Sequence, residues 1–102
     1  MLLIEILLPV DDNAGKPFPR ESFDRVRSEL TARFGGVTAF VRAPASGLWR
    51  DDEGRVRRDD VVIFEVMAES LDEAWWRGYR SELERRFAQD EIVVRAVEAR
   101  RL

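Results

Sequence analysis

Two periods organise the hydrophobic positions of this chain. Residues 2–8 are apolar throughout except Glu5 and stop at Pro9, which reads as a buried β-strand. After a loop at 9–19 rich in Asp, Gly and Pro, the spacing changes. Phe23, Val26, Leu30 and Phe34 recur at i, i+3, i+7 and i+11, one face of a helix over 20–34. Gly35-Gly36 suits the left-handed turn that ends such a helix. Residues 37–42 predict a second strand, interrupted by Ala43-Pro44-Ala45-Ser46-Gly47 and resumed at 48–50. Asp51-Asp52-Glu53-Gly54 reads as a four-residue hairpin turn. Residues 55–67 return as the third strand, carried chiefly by 61–67. Ser70 and Glu73 have capping-box spacing, starting a second helix over 71–88. On it Leu71, Trp75, Tyr79, Leu83 and Phe87 form an i+4 ladder with Trp76 at its edge. Residues 91–99 form the last strand and 100–102 a tail.

The order β-α-β-β-α-β predicts a single α+β domain over 1–102 with the ferredoxin-like arrangement. It is a four-stranded antiparallel sheet, both helices on one face, and a hairpin protruding between the second and third strands. Strand alternation then assigns the bare face. It carries Leu3, Glu5 and Leu7; Thr38, Phe40 and Arg42; Val61, Ile63 and Glu65; Val93, Arg95 and Val97. A turn centred on 51–54 would set Phe40 opposite Glu65 and Arg42 opposite Ile63. The apolar part of this face is larger than a monomer leaves to water, which predicts a homodimer or higher assembly through it.

Composition narrows the chemistry. The chain has 102 residues, with no Cys and no His. A thiolate or imidazole metal site and a Ser-His-Asp triad are therefore excluded. No cofactor is expected. The net charge of −3 gives no basic footprint for nucleic acid. The apolar N-terminus lacks a basic leader and contains Glu5, so no signal peptide or membrane span is read there, and a cytoplasmic location is expected. Asn13-Ala14-Gly15-Lys16 lacks Walker spacing. The acidic residues at 51–53 and 59–60 lack the alternating spacing of a calcium loop.

Charges on the bare face run Arg95, Glu5, Glu65, Arg42 in strand order. One reading is a structural ionic row, each glutamate balanced by an arginine. The other is a carboxylate pair in an apolar pocket. There one group titrates high and serves as acid or base, Glu5 and Glu65 being the candidates. Arg42, Arg95, Phe40 and Trp49 are the candidate ligand-binding residues, for a small anionic or aromatic ligand. Trp49, two residues before the charged turn, is either a brace on its own domain or an anchor on a second subunit.

The pattern Arg33-Phe34-Gly35-Gly36, Thr38, Gly47, Trp49, Gly54, Tyr79, Glu82-Leu83-Glu84-Arg85-Arg86-Phe87 and Gln89 resembles small uncharacterised bacterial proteins. That resemblance implies the ferredoxin-like fold and carries no assigned activity. Size and topology are similar to dimeric α+β barrel proteins, which include cofactor-free monooxygenases, isomerases and ligand-binding modules. Two functions follow as expectations. One is a non-catalytic ligand-binding or interaction module. The other is a cofactor-free small-molecule enzyme using Glu5 or Glu65.

Overall fold

The computed structural model describes residues 1–42, 48–50, 56–58 and 61–102, with side chains described for 1–40 and 61–102. Its elements are β1 (Leu2–Pro9), α1 (Arg20–Phe34), β2 (Thr38–Arg42), β3 (Leu48–Arg50), β4 (Val56–Arg58), β5 (Val61–Ala68), α2 (Glu73–Arg86) and β6 (Val93–Glu98). The antiparallel sheet runs β2-β5-β1-β6, while β3 and β4 form a separate two-stranded ladder. This is the expected α+β, ferredoxin-like architecture.

Alternation along the central strands decides which face is covered. Ile4, Ile6 and Leu8 of β1 and Phe64 and Val66 of β5 are all but fully buried against the helices. From α1 they meet Val26 and Leu30. From α2 come Trp76, Tyr79, Leu83 and, just past its end, Phe87, which repeat the i, i+3, i+7, i+11 spacing of α1. Trp76 is thus central to the stripe rather than at its edge. Of the i+4 ladder, Tyr79, Leu83 and Phe87 are buried, but Leu71 precedes the helix and is 38% exposed. Trp75 packs beside the core with the Arg33 guanidinium 4.2 Å from its ring.

The helix ends show a second departure. α2 begins two residues later than the capping box implies. Asp72 is its N-cap, and Asp72 Oδ1 accepts from the Trp75 backbone N–H at 3.1 Å. The Asp72 carboxylate, immediately before the first turn, does what the Ser70 hydroxyl was expected to do. At the other end Ala88 takes φ 50°, the left-handed conformation usually left to glycine. Ala88→Gly should therefore raise stability by about 1 kcal/mol, the cost of a Cβ in that region. Thermal melts of the two chains check it.

Register supplies the third. In the sheet Thr38 opposes Glu65, Phe40 opposes Ile63, and Arg42 opposes Val61. The expected pairing is displaced by two residues, so the faces stand but the neighbours change. In the arm Trp49 opposes Arg57. Arm and sheet are out of step because five residues (43–47) separate β2 from β3, while two (59–60) separate β4 from β5. The turn at 51–54 lies outside the described residues.

Candidate functional site

The centre of the bare face is a carboxylate pair built by register. Glu5 of β1 and Glu65 of β5 are direct cross-strand partners, and Arg95 of β6 faces Glu5 from the other side. Arg95 Nε donates to Glu5 Oε1 at 2.9 Å, with the Glu5 side chain only 15% exposed. This half of the expected ionic row is present. On the other side Thr38, not the expected Phe40, lies opposite Glu65, because the register moved by two. Arg42 is four positions further along β2, opposite Val61 and not the expected Ile63, and its side chain lies outside the described residues, as does that of Trp49.

The two carboxylates are therefore unlike. Burial on an apolar face, and then the neighbouring Glu5 charge, push the Glu65 carboxyl above its ordinary value of 4.5. Between 4.5 and that raised value the fold holds a proton that the unfolded chain releases. Stability thus falls as pH rises through this window, and the cost persists above it. Glu65→Gln should melt higher than the parent chain at pH 7, with the difference vanishing below pH 4, as paired melts across pH would show.

Around the pair the surface is apolar. Leu3 and Leu7 are half-buried and Ile63 is 2% exposed. Phe40, Met67, Val93 and Val97 are exposed large hydrophobics, Met67 the most so at 59%. Phe40 and Arg95 thus sit on the face assigned to them. Beside Glu65, where α1 hands over to β2, lies a depression of about 360 Å³ lined by Gly35, Gly36, Thr38, Glu65 and Met67 among others. Sequence reasoning missed Thr38 and this glycine corner as site elements. Their signal was the αL turn at Gly35 (φ 81°), which swings β2 away and leaves room beside the carboxyl.

The loop at 9–19 offers no phosphate cradle. Asp12 Oδ1 accepts from the backbone N–H groups of Ala14 and Lys16, both at 2.9 Å, so the donors a phosphate would use are spent on a carboxylate of the same loop. Among the described residues no helix is long and apolar enough to cross a membrane.

Comparison with known proteins gives the architecture and nothing finer. No family model matches the chain. No curated protein matches it significantly. Solved structures do. A phage SAM lyase in complex with S-methyl-5′-thioadenosine superposes with TM-score 0.64 at 15% identity, over 95% of this chain and 80% of that one. The same lyase without ligand gives 0.62, also at 15% identity, over 95% and 79%. CutA1 from Pyrococcus horikoshii OT3, carrying a D60A mutation, gives 0.60 at 12% identity, over 100% and 86%. At such identity the likeness shows a shared small α+β fold.

Proposed function

We propose that this chain is a self-associating module that binds a small ligand beside Glu65, with a second copy covering the bare sheet face. The observation that carries the reading is the combination on one face: exposed Phe40, Met67, Val93 and Val97 around a partly desolvated carboxylate pair. Burying apolar surface stabilises by roughly 25 cal/mol per Å² before association costs. Four strands spaced about 4.8 Å apart and six residues at about 3.3 Å each give a face of roughly 400 Å² in projection. A standard interface takes about 800 Å² from each partner. We therefore place the β3–β4 arm, with Trp49, in the same interface. Trp49→Ala should weaken the assembly while leaving the melting of the dissociated chain unchanged.

A second reading is favoured by the raised Glu65 carboxyl: a cofactor-free enzyme in which Glu65, in its acid form, donates a proton to a substrate in the depression and Glu5, held by Arg95, receives one back. Arg42 and Phe40, on the same face by register, would hold an anionic or aromatic group of that substrate.

The test has two arms. Light scattering at micromolar concentration should give a dimer or larger species; a monomer refutes self-association. A thermal-shift screen of small acids, phenolics and S-methyl-5′-thioadenosine should give a hit that Glu65→Gln loses while keeping its fold and assembly. A hit insensitive to that change removes Glu65 from the site. Turnover of the bound compound selects the enzyme reading over the binding one.

A further inference from the structure

On the covered side of the sheet the helix layer stops short of the edge. β6 is an edge strand, and register sets Ala96 opposite the buried Ile4. Alternation should bury Ala96 beneath α2, yet it is exposed, and Val94 two residues earlier is half-buried. A methyl is too short to fill the space below α2. What remains is a notch of about 170 Å³, floored by Ile4, Val94 and Ala96 and walled by the 5%-exposed Trp76.

The rim of this notch is cationic. Glu73, Arg77 and Arg80 stand along it on successive turns of α2. Glu73 and Arg77 pair with each other at 3.8 Å and largely cancel. Arg80 makes no ion pair among the described residues, so its guanidinium is available to an anion. Arg95 also borders the notch, but its Nε is committed to Glu5 on the opposite face. An apolar cavity of about 150 Å³ takes a benzene ring, and arginine binds carboxylate through paired, charge-assisted hydrogen bonds.

We propose that this notch is a binding site for a small aromatic carboxylate. Its ring rests on Ile4 and Ala96 against the Trp76 indole, and its carboxylate meets Arg80. The site is independent of the one beside Glu65, from which the sheet separates it.

The experiment is a titration of the full chain with benzoate, read by amide and indole N–H resonances. The Trp76 indole and Ala96 amide signals should shift and saturate in the millimolar range. Benzyl alcohol, which lacks the charge, should bind about tenfold more weakly, and Arg80→Ala should weaken benzoate by about tenfold, as loss of a charge-assisted bond implies. Ala96→Leu should fill the notch and abolish the response in a chain whose other resonances stay dispersed. Glu65→Gln should respond as the parent chain does. Unmoved Trp76 and Ala96 signals overturn the proposal, as does undiminished binding in Arg80→Ala or Ala96→Leu. Loss of the response in Glu65→Gln overturns it by placing benzoate on the other face. Trp76 shifts that follow protein concentration without benzoate overturn it by assigning the notch to a second copy.

Discussion

Replacing Phe40 or Val97 with glutamate is expected to leave a folded monomer. The two residues lie near opposite edges of the bare face, Phe40 opposite Ile63 and Val97 opposite Leu3. Each is nearly half exposed in the single chain, at 43% and 46%. A carboxylate at either place costs the isolated fold little, since surface changes of this kind stay within about 0.5 kcal/mol. In an assembly through this face the same carboxylate loses its water and meets the symmetry-related charge. Such juxtapositions cost several kcal/mol, so affinity should drop by about a hundredfold or more. Light scattering and melting curves of both variants check it. Two variants that stay assembled would exclude the sheet face as the interface.

Arg86→Ala should lose about 2 kcal/mol of stability, the largest effect expected from a charged residue here. Arg86 ties the two helices together. Its Nη1 and Nη2 donate to the Glu29 carboxylate of α1 at 2.6 and 2.8 Å, and its Nε donates to Glu82 at 3.2 Å. The Tyr79 hydroxyl donates to the same Glu29 at 3.0 Å. Arg86 is 13% exposed and Glu29 34%, so water partly screens the pair and the figure stays well below that of a buried one. Removal leaves Glu29 with the tyrosine and the distant Arg25 guanidinium at 3.8 Å.

The hydrogen bond from Arg86 chiefly, then the Tyr79 bond and the charge of Arg86, hold the Glu29 carboxyl below 4.5 against the opposing effect of burial. Its stabilisation is therefore complete above 4.5 and is lost as pH falls through the lower folded value. Denaturant titrations should show the deficit of Arg86→Ala at pH 7 and a smaller one near pH 2. An equal deficit at both would mean that Arg86 acts by packing alone. Arg86→Lys should recover only part of the loss, because an ammonium cannot reproduce the fork on Glu29.

The apolar periodicities made the fold legible. Phe23, Val26, Leu30 and Phe34 placed α1 to the residue, since tertiary packing enforces what that spacing implies. The face of each strand was legible for the same reason: a register error of two residues leaves alternation intact. What pairs with what across β2 and β5 was not. That depends on how many residues each side of the hairpin spends outside the ladder, and neither Pro44 nor Gly47 reveals it. Arg42, expected opposite Ile63 and so diagonal to Glu65, stands two residues further off through that error, whereas Glu5–Arg95 survived because it rests on β1 and β6. The Ala96 notch was illegible because alternation assigns a side but not whether the opposite layer reaches it.

The loop after β1 has a further consequence. Asn13 Nδ2 donates to the Ala88 carbonyl at 3.0 Å, and Gln89 Nε2 donates to Asn13 Oδ1 at 3.1 Å. Beneath this clasp Phe18 and Phe23 pack on Phe87, with ring centroids 4.9 and 5.6 Å from it. A segment that reads as an ordinary connection is thereby fastened, across some seventy-five positions of chain, to the end of α2. The Phe18 amide, which donates to the Val10 carbonyl, should exchange with solvent as slowly as the last turn of α2, both released by one opening event. In kinetic terms this corner closes a loop of some seventy-five residues, so it should form late in folding.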